Sequence, residues 1–384
     1  MSVNATVATK PLVRDGRGPP PSDGQATPRQ PPRGGALPWG DIRRVLLCRP
    51  NRRLGNQLFL TPLLAEIEAR HPGTTVDIVG AGDGVGGLFR GYANVGRVFA
   101  LPRNPFHAPG QYARAVRAFF GERYDLVIDP ERRSRSARFF VSLCRATYRL
   151  GFSGDGDAGR LTHAVPGGDS PQHMSRRAVY LLRCASEGAD ASLEAPYPEL
   201  DLRLTADERA AGAVLVAGAL RRHDALARAP VIGLFANATG AKRYPGEWWQ
   251  QLAARLRAQL PRAELLEILP PGAPAPSALA LPAYRSSDLR QVAAVIGATS
   301  AFVSADCGTL HLACASGAPR VIGLFSVTDP AVYGPVGAGR RAIVTHRLAP
   351  DDVARAIAAP FLGGEADASL RAQGGGHPNL PPVS

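Results

Sequence analysis

Short, unbroken apolar runs separated by helical stretches constrain this chain more than any other feature. Arg44-Val45-Leu46-Leu47-Cys48, Thr74-Thr75-Val76-Asp77-Ile78-Val79, Leu126-Val127-Ile128, Val231-Ile232-Gly233-Leu234-Phe235, Leu265 to Leu269, Ala301-Phe302-Val303 and Arg320 to Phe325 are such runs. They are largely continuous rather than alternating, as expected of strands covered on both faces. Helical patterns over 58–70, 112–120, 136–144, 204–220, 247–260, 287–296 and from Thr309 fall between them. The helix from 204 opens with Thr205 and Glu208 in capping-box spacing, and the helix from 287 ends at Gly297, expected as a C′ glycine. This rhythm predicts parallel α/β sheets in two doubly wound units, 41–195 and 204–362, with a linker over 190–204. Such sheets bind ligands in the crevice at the C-terminal ends of their strands. Residues 1–40 and 364–384 are rich in Pro, Gly and Arg and too poor in apolar surface to offset ordering entropy, so both read as unordered tails.

The formal net charge of +13 favours an acidic partner: a phosphorylated substrate, an anionic membrane surface or nucleic acid. The charge is spread along the chain and no basic patch is interleaved with aromatics, so nucleic acid ranks last. Cys48, Cys144, Cys184, Cys307 and Cys314 form no CxxC pair and read as reduced thiols rather than disulfides or a zinc site. No run of apolar residues is long enough to span a bilayer, and the N-terminus lacks the apolar core of a secretory signal. A cytoplasmic protein is expected, with association with a membrane surface left open.

The segment Val303-Ser304-Ala305-Asp306-Cys307-Gly308-Thr309-Leu310-His311-Leu312-Ala313 carries the strongest functional signal. A strand ends at a small polar turn and a small-residue helix starts at once. Free N–H groups and the positive end of the helix dipole collect there, which suits phosphate. Asn237-Ala238-Thr239-Gly240-Ala241-Lys242 follows another strand, and offers hydroxyls, amides and an ammonium to a phosphate oxygen. Asp129-Pro130-Glu131-Arg132-Arg133-Ser134-Arg135 follows a strand of the first unit and reads equally as an acceptor site for an anion or as a solvated helix start. Two further motifs are discounted. Gly82-Asp83-Gly84-Val85-Gly86-Gly87 matches GxGxxG but follows the second strand, so it reads as a flexible loop. Asp155-Gly156-Asp157 has metal–diphosphate spacing but lies in a glycine-rich loop away from an apolar strand, so no metal is expected.

Together these segments resemble the bacterial family-9 glycosyltransferases, known best for the ADP-heptose:lipopolysaccharide heptosyltransferases. Leu54-Gly55-Asn56 with Thr61-Pro62 resembles the family's LGD…TP turn. Tyr124 to Asp129 with Arg135-Ser136 resembles YDLVID…RS, and Arg149-Leu150-Gly151-Phe152 resembles R-x-G-F. Lys242-Arg243-Tyr244-Pro245 with Trp248 resembles KRWP, with tyrosine in place of its tryptophan. The turn at 304–313 resembles S-N-D-[TS]-G-x-x-H-L-A, with Cys307 in place of the hydroxyl residue, and Leu324 to Pro330 resembles LFGPTDP.

The resemblance implies a GT-B fold and an inverting transfer without a metal or other cofactor. The sugar, of the heptose class in the best-known members, would pass from an ADP- or similarly linked donor to an anionic glycolipid or glycan such as lipopolysaccharide core. Asn237, Thr239, Lys242, Asp306, Cys307, Gly308, Thr309 and His311 would hold the donor, and Lys242 would neutralise the leaving diphosphate. Arg52, Arg53, Asn56, Arg132 and Arg135 would hold the acceptor. The family's general base is the LGD aspartate, and here that position is Asn56, whose amide is not basic. Base catalysis supplies typically ~10²–10⁴-fold, so the substitution matters. Asp83, Asp129 and Glu131 are the candidate replacements, or the reaction needs little base. A catalytically weak or inactive nucleotide-sugar-binding relative is the alternative. A nucleotide-sugar epimerase would need an acid/base pair at the cleft, where the sequence offers the single His311.

Overall fold

The structure, a computed structural model, describes residues 34–362 apart from 83, 105, 133, 155–159, 169, 187–194, 222–228 and 274–278. In the first lobe, chain order runs β1 (Arg44–Cys48), α1 (Leu54–Leu58), α2 (Thr61–Arg70), β2 (Thr75–Ala81), α3 (Val85–Leu88), β3 (Val95–Leu101), α4 (Pro109–Phe120) and β4 (Arg123–Asp129). It continues through α5 (Arg135–Leu143), β5 (Arg145–Phe152), β6 (His163–Val165) and α6 (Met174–Ala185). The second lobe has α7 (Ala206–Ala219), β7 (Val231–Phe235), α8 (Gly246–Gln259), β8 (Glu264–Leu269), β9 (Ala283–Arg285) and α9 (Leu289–Gly297). Then follow β10 (Ala301–Ala305), α10 (Gly308–Ala315), β11 (Val321–Phe325), α11 (Pro330–Tyr333), β12 (Arg340–Val344) and α12 (Pro350–Ala358).

Each lobe contains a six-stranded sheet, ordered β3-β2-β1-β4-β5-β6 and β12-β11-β10-β7-β8-β9, with every pairing parallel. Counted from the first strand of its own lobe, the second sheet has the same winding as the first. The strand order therefore reverses between β1 and β4 and again between β7 and β10, and those switch points open the crevices where such sheets take ligands. This is the doubly wound α/β architecture expected from the sequence.

The central strands β1, β7, β10 and β11 match the unbroken apolar runs closely, because both of their faces are buried; the polar exceptions are Arg44 at the start of β1 and Ser304 in β10, whose hydroxyl donates to the Ala305 carbonyl at 2.9 Å. Departures have local causes. The helix expected over 58–70 is two helices, since Pro62 has no N–H to continue the first. Thr61 Oγ1 donates instead to the Leu58 carbonyl at 2.8 Å. The GxGxxG segment is not simply a loop: after the left-handed Gly84 it forms the single turn α3. Gly297 closes α9 without a left-handed φ. Its missing Cβ matters because an added one would lie 2.8 Å from the Ser316 carbonyl oxygen. Leu37 falls in the segment read as a tail, yet it is buried, and its amide donates to Ala185 O at 2.7 Å. None of the five cysteines is in a disulfide, and all but Cys307 are buried.

β5 and α6 carry no clear apolar signature in the sequence because both turn arginine inward. Arg149 on β5 donates to the Val141 and Cys144 carbonyls at 3.2 and 2.9 Å, capping the end of α5. Arg183 on α6 is buried against both oxygens of Glu66, at 2.6 and 2.9 Å. Paired this way, arginine occupies core positions that an apolar pattern cannot reveal.

The capping box of α7 forms as predicted, with both reciprocal bonds between Thr205 and Glu208 present. Two glycines of this helix face different surroundings. A Cβ on Gly212 would sit 2.3 Å from Ala294 O of α9, whereas one on Gly218 would meet nothing within 4 Å. Gly212→Ala is therefore expected to lose about 1–3 kcal/mol through overpacking. Gly218→Ala is expected to gain up to about 1 kcal/mol. Thermal melts of the two variants, which should shift in opposite directions, check this.

Candidate active site

At the end of β7 the chain turns through Gly240, whose φ of +63° suits glycine, into a single 3-10 turn that presents Lys242. At the end of β10 the Asp306 amide is anchored to Leu324 O at 3.1 Å, and Cys307, fully extended, leads into α10. The sheet order β11-β10-β7 places the loops after these three strands side by side, and all three meet on one carboxylate oxygen. Asp306 Oδ2 accepts from Lys242 Nζ at 2.5 Å and from Thr328 Oγ1 at 2.6 Å. Asp306 is buried and Lys242 about one-third exposed, so the ammonium stands at the lip of the site with a fixed anchor beneath it.

The predicted donor residues converge here. Gly308 and Thr309 form the first turn of α10, whose leading amides have no partner within the helix. Asn237 and Thr239 lie on the loop that delivers Lys242, half-buried and exposed respectively. The Cys307 thiol lies beside the Thr309 and Leu310 amides and 3.3 Å from Ser304 Oγ, and burial pushes its pKa up, so it remains a thiol. His311 is buried on α10, with its ring edge-on to Phe59 at 4.6 Å between centroids. Burial lowers its pKa to about 4, so it is neutral at pH 7, and the 3.9 Å from Nε2 to Asp306 Oδ1 is no ion pair.

The first lobe contributes the facing wall. Gly55 and Gly308 make a close approach between α1 and α10. A Cβ on Gly55 would lie 2.5 Å from His311 Cδ2, and one on Gly308 would lie 2.8 Å from the Leu54 Cβ. His173, just before α6, crosses between lobes and hydrogen-bonds the Gly334 carbonyl through Nε2 at 2.8 Å. Beside these contacts lies a cavity of about 370 Å³ lined by Arg49, Pro130, Glu131, Arg132, Met174, Arg177 and Tyr333. Three arginines against one carboxylate make it a place for an anion. Arg49 is buried and holds Glu131 at 2.9 Å, while Tyr333 has Lys242 Nζ 5.4 Å from its ring centre, linking the cavity to the ammonium.

Not every expected residue reaches this cavity. Asp129 is a correction. It is fully buried at the end of β4, with one oxygen accepting from Arg138 Nε at 2.9 Å and the other from the Glu131 amide at 3.1 Å. Burial outweighs Arg138 and raises its pKa to about 6, but it supports the Glu131 turn rather than facing the cavity. Of the acceptor candidates, Arg132 lines the cavity. Arg52 turns to the Arg103 carbonyl at 2.7 Å, Arg53 is exposed at the start of α1, and Arg135 is exposed on α5. Asn56 is half-buried on α1, next to the Gly55 contact. Asp83, Arg133 and the Asp155–Asp157 motif lie outside the described residues. Arg49, Arg177, Thr328 and Tyr333 went unassigned by the sequence reading. Arg49 at the very end of β1 and Thr328 inside the LFGPTDP-like segment were the available signals, whereas Arg177 depended on recognising α6.

Residues 112–357, more than half of the chain, match the model of glycosyltransferase family 9 (heptosyltransferase). The chain belongs to this family. This family-9 glycosyltransferase has the fold of ADP-heptose lps heptosyltransferase II from E. coli, at 18% identity and a TM-score of 0.64, over 84% of this chain and 99% of that one. A family-9 glycosyl transferase from Veillonella parvula matches at 15% identity and a TM-score of 0.64, over 85% and 91% of the two chains. The E. coli heptosyltransferase WaaC, solved with ADP, matches at 21% identity and a TM-score of 0.61, over 82% and 98%. No protein of curated function matches by sequence. The matched span begins after Asn56, so that residue's correspondence to the LGD aspartate rests on the local motif alone.

His311 prefers its neutral form when folded, as does His71, whose pKa burial also lowers to about 4. A histidine with a lowered folded pKa contributes stability that is present above its unfolded value near 6.5 and is lost as pH falls toward 4. Lowering the pH from 7 to 5 should therefore lower the melting temperature. His311→Gln should flatten that slope by roughly 1–2 kcal/mol at pH 5 after correction for its own cost at pH 7.

Proposed function

We propose that this glycosyltransferase moves a sugar of the heptose class, with inversion and without a metal, from a nucleotide-diphosphate donor to an anionic glycolipid or glycan such as lipopolysaccharide core. The observation that carries this reading is the meeting of Lys242, anchored by Asp306 and Thr328, with the amide end of α10, beside a cavity lined by three arginines. An ADP-linked donor is favoured because a fold relative was solved with ADP. The arginines suit phosphate or carboxylate on the acceptor. The proposed place of this activity is the cytoplasmic face of the inner membrane; among the described residues no helix is long and apolar enough to cross a membrane.

In the proposed reaction the acceptor hydroxyl oxygen attacks the anomeric carbon on the face opposite the diphosphate. The new C–O bond forms as the bond to the phosphate oxygen breaks, and the electron pair leaves with the diphosphate. Lys242 and the first-turn amides of α10 receive that charge in place, without reorganising. The acceptor proton passes to a carboxylate. Glu131 is the candidate placed for it: it lines the cavity, Arg49 orients it, and Asp129 is sealed beneath. Asn56 then orients the acceptor rather than deprotonating it. Asn56 also favours the second reading, a relative that binds nucleotide-sugar and turns it over weakly or not at all.

Lys242→Ala should reduce kcat by ~10²–10³-fold, as expected for loss of a charge-stabilising group. Glu131→Gln should reduce it by ~10²–10⁴-fold, with donor binding retained. Thermal stabilisation by ADP and ADP-sugars, followed by turnover of the best donor with lipid-extract acceptors, tests the reading as a whole. Stabilisation without turnover would select the binding-only alternative. Absence of stabilisation by any nucleoside diphosphate would remove both.

A further inference from the structure

Two helices on one side of the first lobe present an outer face that neither the core nor the cavity uses. α4 and α5 pack side by side, with Phe140 meeting Phe119 at 5.6 Å and Phe120 at 6.0 Å between ring centroids. Outward, α4 exposes Arg114 and Arg117, and α5 exposes Arg135, Phe139 and Leu143. Phe139 is 53% exposed and Leu143 51%, on the same stripe of α5 as Arg135. Neither helix contains a single Asp or Glu. Buried positions account for the apolar residues facing the sheet, but nothing in the fold accounts for large apolar side chains among unopposed arginines on the solvent side.

We infer that this face docks on the surface of an anionic phospholipid bilayer. Arginines set beside exposed phenylalanine and leucine, with no carboxylate to repel phosphate headgroups, complement such a surface in both charge and polarity. Position supports the same occupant. α5 begins just after the turn that delivers Arg132 to the cavity, so a lobe resting on α4 and α5 keeps that cavity close to a lipid-borne acceptor. This inference rests on the glycolipid-acceptor reading proposed above, and it specifies the surface that would present the enzyme to its substrate.

The test is co-sedimentation of the full chain with vesicles of phosphatidylglycerol and phosphatidylethanolamine, against vesicles of phosphatidylcholine alone. Binding is expected to the first and not the second. Arg114→Ser/Arg117→Ser should weaken it by on the order of 30-fold. Phe139→Ser/Leu143→Ser should weaken it by about tenfold or more. Both double variants should keep wild-type turnover on a delipidated, soluble acceptor. The inference fails if wild-type protein stays in the supernatant, or if both variants sediment as well as wild type. It also fails if Phe139→Ser/Leu143→Ser only dissociates a dimer, which would make the face a contact between copies. If vesicles are bound through this face but no donor is turned over, the docking surface stands and the transfer reading falls.

Discussion

The approach of α1 to α10 governs how the two sheets can cooperate. Each sheet ends in its own crevice, and a transferase needs those crevices opposed at a fixed separation. Here the separation is set by two glycines. Gly55 lies against the His311 ring and Gly308 against Leu54, and neither position has room for a methyl group. With backbone so close to backbone, the first turn of α10 stands next to the first-lobe cavity. His173 reaches across to Gly334 and adds a second, directional bond between the lobes.

Around this contact the charges come in pairs in which a buried partner holds a more exposed one: Asp306 beneath Lys242, and Arg49 behind Glu131. Asp306 is buried and holds Lys242 from below, with Thr328 completing the same oxygen. Buried Arg49 holds Glu131 at the cavity wall, and Asp129, buried deeper, is held by Arg138. Buried charges persist when paired and hydrogen-bonded, and these pairs leave the exposed ends in defined positions. His311, neutral because it is buried, adds no further charge to a site that already carries an ammonium.

The proposed donor side is legible in the sequence because its parts are local. A strand end, a small turn and a helix start follow one another in 303–311, and Lys242 sits on a loop with the same relation to its strand. The proposed acceptor side is legible only in part. Arg132 and Glu131 were found because they follow β4, but the motif around them could not show that Asp129 points inward and Arg135 outward. Those opposite fates follow from which side of the β4–α5 turn faces the sheet. Arg177, and the strand that carries Arg149, are hidden for a related reason. Paired or carbonyl-bound arginines sit in β5 and α6, and they erase the apolar pattern by which a strand or helix is recognised.

By itself the sequence determined the α/β class, the two windings and the strand–turn–helix segments proposed to bind anions, since these depend on apolar runs, caps and neighbours a few residues apart. Only the tertiary structure decided which carboxylate faces the cavity, which arginines share it, and how close the lobes stand. Those outcomes depend on side chains brought together from strands far apart in the chain. Such distances are set by close packing of glycines and buried ion pairs, for which a linear pattern carries no measure.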